Sequence, residues 1–376
     1  MSESKKIRLW LLIGSLQTGG ANKNLVDLAN GLDHEEFDVT VWTILPDDTL
    51  APELSPAVTH RSLDASGKFD LGAVVEFLRV VRRESPDVLH SFLFFDNLLA
   101  RLSRVTSPQT AVVSGVFSAP TDRPWIRSFL DRLTTGLCDH VVANSEACAS
   151  LAVRRGTPPT HVSTIPNARE VSLFWDAAEP SGLRSSLGIP PDATVVGTVG
   201  RLVPVKGHRD LLAAWPTVLR ANPDAHLVVV GDGPERQALE SLTRDYDCRD
   251  SVTFTGRRSD VPELLATFDV FAFPSHYEGM PGAVIEAMAA GVPTVGTRVP
   301  GTTELVDDGE TGVLVEAESP DELATAIDEL LSDPSRRERL GRKASQVAGA
   351  QFSLDRLVES HSQLYRDLAG QTESRS

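Results

Sequence analysis

Glu278 and Glu286 stand eight positions apart in the run His276-Tyr277-Glu278-Gly279-Met280-Pro281-Gly282-Ala283-Val284-Ile285-Glu286. Upstream, Val270-Phe271-Ala272-Phe273 reads as a buried strand that stops at Pro274. Pro281 is placed to open a helix, where its missing N–H costs nothing because first-turn N–H groups lack partners inside the helix. Glu278 is then expected on the loop at the carboxyl end of a strand, and Glu286 about a turn and a half into the helix. In an open parallel sheet that edge is where ligands bind. The N–H groups of Gly279, Met280 and Gly282, beside the positive end of a helix, suit an anion. A carboxylate held nearby accepts hydrogen bonds from a vicinal diol. The chemistry pointed to is recognition of a ligand carrying both phosphate and sugar hydroxyls.

Other residues add to this constellation. Arg201 and Lys206 fall on the loop after a second apolar strand, in Val199-Gly200-Arg201-Leu202-Val203-Pro204-Val205-Lys206-Gly207. An Arg–Lys pair alone is most simply a solvated loop. At a strand end it can grip phosphate, arginine through two parallel bonds and lysine as a point charge. Gly19-Gly20 follows the first strand, where glycine serves either a tight turn or close approach of a ligand to the backbone. Neither this loop nor Gly231-Asp232-Gly233-Pro234 spells the glycine fingerprint of a dinucleotide site, which disfavours an NAD enzyme. His90 closes a strand and has two readings: a contact or base for a sugar hydroxyl, or a structural residue at the strand end. Pro300-Gly301-Thr302-Thr303-Glu304 reads as a helix start with Gly301 and Glu304 at cap and third-position spacing. Asn144-Ser145-Glu146 reads as a strand end meeting a helix cap.

The elements that position these residues follow from hydrophobic patterning. Short Val/Ile/Leu runs alternate with helical segments, so the chain reads as α/β with parallel sheets, and 376 residues suit two domains. Strands are expected near 7–14, 37–45, 58–61, 87–90, 111–116, 141–144 and 162–165. After a linker at 167–182 they recur near 194–199, 226–230, 252–255, 270–273, 293–296 and 312–315. The helix at 71–83 is predicted to bury Val74, Val75, Leu78 and Val81. The tail from Asp321 to Leu368 reads as helices broken at Pro334 and near Gly349. Lys5 and Lys6 before Ile7–Ile13 mimic a signal peptide, but the short run and its Arg8 make it a first buried strand. No apolar run reaches the roughly 18 residues of a membrane span.

The formal net charge of −16 excludes bulk nucleic-acid binding. It is uneven: residues 1–178 hold 17 Lys/Arg against 21 Asp/Glu, and the remainder 19 against 31. A local basic segment carries Arg101, Arg104, Arg123, Arg127 and Arg132. Its stretch Trp125–Leu133 interleaves arginine with large apolar residues, as a helix lying on anionic lipid would, or as one packed on the sheet. Phe92-Leu93-Phe94-Phe95 reads as core, part of which could line an acceptor pocket. Cys138, Cys148 and Cys248 lack metal or redox spacing and read as reduced thiols of a cytosolic protein.

Together these motifs resemble the retaining GT-B glycosyltransferases of family 4, over nearly the whole chain and most strongly from Val195 to Val315. Glu278 to Glu286 matches the family's E-x7-E signature. Gly200-Arg201 with Lys206-Gly207 matches its phosphate-binding stretch, Gly19-Gly20 its glycine loop, and Pro86-Asp87-Val88-Leu89-His90 its strand-end histidine. The resemblance implies two Rossmann-like parallel-sheet domains facing a cleft, with a C-terminal helix crossing back to the first. Residues 1–178 would bind the acceptor, 179–350 the nucleotide-sugar, and 351–376 form the crossing helix and tail. It implies that Arg201 and Lys206 hold the diphosphate, that Glu286 binds the ribose, and that Glu278 with Gly279, Met280, Pro281 and Gly282 orients the donor sugar. His90 would contact that sugar from the first domain. No metal and no cofactor are implied, the nucleotide-sugar, UDP- or GDP-linked, being a substrate. The family often continues its isoleucine-proline with Asn-Gly, an aliphatic residue and Asp. Here Ile165-Pro166-Asn167 continues as Ala168-Arg169-Glu170, which removes an inherited role from the linker.

The expected protein is a retaining, metal-independent hexosyltransferase acting on a sugar or lipid-linked hydroxyl acceptor in cell-surface polysaccharide or glycolipid synthesis. It is expected in the cytoplasm, at the inner face of the membrane, with peripheral contact through Arg101–Arg132. The alternative is a non-catalytic sugar-nucleotide-binding partner. An epimerase is disfavoured by the E-x7-E context, and a phosphorylase by the lack of a cofactor lysine motif.

Overall fold

The computed structural model describes residues 5–17, 19–67, 70–117, 125–175, 177 and 182–373. Thr18 of the glycine loop, Arg123 of the basic segment and Glu179-Pro180-Ser181 of the linker lie outside the described residues. The chain divides into two compact units: residues up to Ala168 together with those from Leu354 onward, and Arg169–Ser353.

Unit 1 runs β1 (Ile7–Ile13), α1 (Gly20–Gly31), β2 (Phe37–Thr43), β3 (Thr59–Ser62), α2 (Leu71–Glu84), β4 (Val88–Ser91), α3 (Phe94–Thr106), β5 (Ala111–Val116), α4 (Trp125–Thr134), β6 (His140–Ala143), α5 (Glu146–Arg154) and β7 (Val162–Thr164). Unit 2 runs α6 (Ser172–Trp175), α7 (Leu183–Ser186), β8 (Thr194–Val199), α8 (His208–Ala221), β9 (Ala225–Val230), α9 (Arg236–Asp245), β10 (Val252–Gly256), α10 (Val261–Leu265), β11 (Val270–Phe273), α11 (Gly282–Ala289), β12 (Thr294–Thr297), α12 (Pro300–Thr303), β13 (Gly312–Val315), α13 (Pro320–Ser332) and α14 (Pro334–Gln351). The last helix, α15 (Leu354–Glu373), belongs to unit 1.

Every strand pairing is parallel, in the order β3-β2-β1-β4-β5-β6-β7 in unit 1 and β10-β9-β8-β11-β12-β13 in unit 2. Strands covered on both faces must be apolar along their length. Leu9 to Ile13 and Val270 to Phe273 are accordingly buried at every position. In both sheets the strand order reverses once, between β1 and β4 and between β8 and β11. Chain connections leave such a reversal point in opposite directions and open a crevice at the carboxyl edge.

The α15 helix completes the core of unit 1: Leu357, Tyr365 and Leu368 pack with Leu25, Leu28 and Phe37. Gly31 lets α1 and α15 meet closely, since a Cβ there would lie 2.6 Å from Val358 Cγ2. The α2 stripe differs from the one predicted. Phe77, Val80 and Val81 are its buried residues, and Val75 is 43% exposed. The aromatic ring of Phe77 sets the buried direction by packing on Trp10 and Trp42. Gly301 lies inside α12 behind the cap Val299, because Pro300 with its fixed φ takes the first helical position. Ser145 caps α5 as predicted, accepting a hydrogen bond from Cys148 N–H.

Candidate functional site

Unit 2 gathers most of the predicted residues at its strand-order reversal. Lys206 comes from the loop after β8 and Glu278 from the loop after the neighbouring β11. The two loops are stitched together. Gly207 has φ 65°, and a Cβ on it would lie 1.9 Å from Pro274 O, so only glycine permits this approach. His276 N–H donates to Val205 O at 2.8 Å, and the His276 ring bonds Asp210 on α8 at 2.5 Å. Lys206 Nζ then donates to Glu278 Oε1 at 2.5 Å, and the Ser275 hydroxyl donates to the same oxygen at 2.7 Å. The ammonium also sits 5.3 Å over the Phe273 ring.

Two further loops brace this centre. Gly231 (φ 134°) and Gly233 lie against the β8 loop, and Leu202 N–H bonds Asp232 O at 3.1 Å. The Gly231–Pro234 stretch is thus a support for the Arg201 loop. Gly301 of α12 lies against Gly279, whose oxygen would be 2.4 Å from a Cβ. Beside Lys206, burial and then the ammonium charge push the His208 imidazole down to about 4, so that it is neutral at pH 7. The Arg201 side chain is exposed and makes no hydrogen bond or ion pair among the described residues.

The α11 helix begins at Gly282, one residue later than predicted, with Pro281 as its cap. Pro281 takes an extended ψ of 115°, so the chain turns into the helix only after it. Val284, Ile285, Ala287 and Met288 are fully buried and fix the helix in the core. The first-turn N–H groups of Gly282 and Ala283 have no intrahelical acceptor. Met280 is buried, so Gly279 and Met280 serve through their backbone. Glu286, about one turn in, is half-buried and accepts from Arg169 Nε at 2.6 Å. Arg169 lies so close over the helix start that a Cβ on Gly282 would be 1.7 Å from its Nη2. The sequence offered no sign of this, because the partners are 117 residues apart and Arg169 falls where the family pattern breaks.

In unit 1, Gly19 caps α1 in extended conformation and Gly20 opens it. A Cβ on Gly20 would meet nothing within 4 Å, so no internal packing demands glycine there. The His90 ring is fully buried, Nδ1 bonds the Tyr365 hydroxyl of α15 at 2.7 Å, and the ring stacks on Phe92 and His361. Its Nε2 is buried without a partner. Desolvation above all, with the neighbouring His361 and His140, holds its pKa well below that of a free imidazole. His90 is a core residue beneath the last helix. Part of the basic segment is engaged within unit 1. Arg101 is buried against Asp131 at 2.6 Å, and Asp131 also takes Arg155 at 2.7 Å. Arg104 pairs with Asp139 at 3.1 Å, and Arg127 lies over the Phe94 and Phe95 rings. No group of three or more metal-ligating side chains occurs among the described residues. No helix among them is long and apolar enough to cross a membrane.

The family described as glycosyl transferases group 1 matches residues 182–347, and that described as glycosyltransferase family 4 matches residues 18–173. The chain belongs to glycosyltransferase family 4. It is similar to the D-inositol 3-phosphate glycosyltransferase of Geodermatophilus obscurus, 30% identical over 390 aligned positions that cover 92% of this chain and 84% of that protein. It is also similar to the GDP-mannose-dependent alpha-(1-6)-phosphatidylinositol monomannoside mannosyltransferase of Mycobacterium tuberculosis, 34% identical over 245 positions covering 62% and 63%. Among solved structures, Anabaena Alr3699/HepE in complex with UDP superposes with a TM-score of 0.84 at 22% identity, covering 96% of this chain and all of that one. The same protein has been solved with UDP-glucose. The fold of this family member is therefore GT-B, with two Rossmann-like parallel-sheet domains.

Proposed function

We propose that the protein is a retaining, metal-independent glycosyltransferase that takes its sugar from a UDP- or GDP-linked donor. The observation that carries this reading is the Lys206–Glu278 pair beside Glu286 and the start of α11 at Gly282, with the Arg169 guanidinium over it, all at the strand-order reversal of unit 2. Arg201 and Lys206 would hold the diphosphate, and the N–H groups of Gly282 and Ala283 add partial positive charge. Glu286 would accept from the ribose diol. Glu278, its second oxygen left over from Lys206 and Ser275, would accept from a hydroxyl of the donor sugar. The bond from the anomeric carbon to the phosphate oxygen breaks, its electron pair leaving with the nucleoside diphosphate. The acceptor oxygen bonds the same face of that carbon and gives its proton to the departing phosphate. The two cations stabilise the charge that develops there, which is the work a divalent ion does elsewhere.

The UDP and UDP-glucose complexes of Alr3699/HepE and the GDP-mannose named for the mycobacterial relative support these two donor classes. The relative's phosphatidylinositol mannoside acceptor supports a place in glycolipid or polysaccharide synthesis. No disulfide joins Cys138, Cys148 and Cys248 among the described residues, which suits the reducing cytoplasm. The test is thermal stability with UDP, GDP, ADP, CDP and dTDP. UDP or GDP should stabilise the protein by about 2.7 kcal/mol at a hundredfold excess over Kd. Lys206→Ala and Glu286→Ala should lose that gain. Stabilisation that persists in both variants would refute the site.

A further inference from the structure

A cavity of about 310 Å³ opens in unit 1 at the carboxyl ends of β1, β2 and β4. Its wall is apolar: Ile44 and Leu45 after β2, Val74 of α2, Phe95 and Leu99 of α3, and Leu130 of α4. Leu71, Leu93 and Leu102 stand in the same lining with 77%, 42% and 42% of their surface in water. Leaving three leucines wet costs stability that burial under an apolar ligand would recover. The two lining carboxylates are engaged with the protein's own backbone. Asp70 caps α2 through Ala73 N–H at 3.2 Å, and Asp96 accepts from Gly14 N–H at 3.0 Å. Recognition in this cavity therefore falls to shape and apolar contact. The volume is roughly twice that at which a dry apolar cavity takes a single aromatic ring.

The cavity adjoins the β1/β4 reversal of unit 1, next to the loop that leads to Gly19 and Gly20. Its place on the ligand edge separates it from a packing defect. Resting on the glycosyltransferase reading above, we infer that this cavity holds the apolar body of the acceptor. The acceptor class is an amphiphilic alcohol, with an alkyl chain or fused-ring portion in the cavity and its hydroxyl end toward the glycine loop. The exposed Ile126 and Phe129 of α4, the helix that supplies Leu130, extend the apolar surface available to a longer chain.

Calorimetric titration with methyl, hexyl and octyl β-D-glucoside below their micellar concentrations tests this on the full chain. Affinity should rise about fourfold per methylene, the factor that roughly 0.8 kcal/mol per buried CH₂ converts to. Leu93→Asp and Leu102→Asp sit at exposed positions and should fold. They should flatten the series while nucleotide stabilisation stays at the wild-type value, and Val74→Trp, which fills the cavity without adding charge, should do the same. Equal affinity for methyl and octyl glucoside overturns the proposal, as does an unchanged series in all three variants. Binding to phosphatidylcholine vesicles without binding to monomeric octyl glucoside also overturns it, in favour of a lipid surface. A chain-length series without any nucleotide response leaves the cavity standing and refutes the donor site instead.

Discussion

Arg169 and His90 show what a single residue's chemistry does and does not reveal in a sequence. His90 lies one residue before the end of β4, and a histidine near a strand end can point to the ligand edge or into the core. What decides between them is Tyr365, 275 residues later, and no local pattern carries that contact. Arg169 is the converse case. It sits in a segment that departs from the family pattern, yet its guanidinium holds Glu286 and covers the start of α11. The places of Lys206 and Glu278 at the sheet edge were readable because each follows closely on an apolar strand, and that of Glu286 because Pro281 marks the start of the next helix. The Arg169 guanidinium offsets the Glu286 charge where an anionic donor would bind. Arg169→Met should therefore raise the Kd of the stabilising nucleotide by about tenfold or more, the loss expected of one charge-assisted hydrogen bond. Titration calorimetry would measure it, and an unchanged Kd would make Arg169 a bystander. Arg169→Lys, which keeps the charge but not the fork, should fall between.

At the level of elements, the strands and most helices were evident because a parallel sheet covered on both faces forces continuous apolar runs. Periodicity could not say whether an amphipathic face is covered, and α4 shows this: Trp125, Phe129 and Leu133 remain exposed. Nor could it show that the β8 and β11 loops are fused into one platform, since that depends on contacts between glycines and distant backbone oxygens. Two glycines of this platform should respond differently to a methyl group. At Gly207 the added carbon would meet Pro274 O in a left-handed conformation. Gly207→Ala should cost more than about 2 kcal/mol in urea unfolding and abolish nucleotide binding. At Gly282 the obstacle is the far end of the Arg169 side chain, which can swing aside. Gly282→Ala should leave stability within about 1 kcal/mol while weakening the nucleotide as Arg169→Met does. Equal destabilisation by both would show that the Arg169 contact is part of the packing.

For the whole molecule, buried imidazoles couple the fold to pH. His90, His361 and His208 are buried and their pKa values depressed, the last two to about 4. An unfolded chain takes up these protons near pH 6.5, whereas the native state resists them to lower pH, down to about pH 4 for His361 and His208. Stability is thus full above pH 6.5 and falls as pH drops through that window, by about 1.4 kcal/mol per pH unit for each group. Unit 1 holds two of the three, so in urea melts at pH 7, 6 and 5 its transition should move further than that of unit 2. A pH-independent midpoint would contradict the neutral, buried state of these rings. The chain's path through the two units has one more consequence. Arg169 N–H bonds Phe352 O at 3.0 Å, and Arg169 pairs with Ser353 in a parallel bridge, so unit 2 begins and ends at one spot. It is an insertion in unit 1, where α15 packs over His90 and in one cluster with Leu25. Because synthesis proceeds from the N-terminus, the half that is made first on the ribosome is the last to close, and the inserted half can be complete before its host.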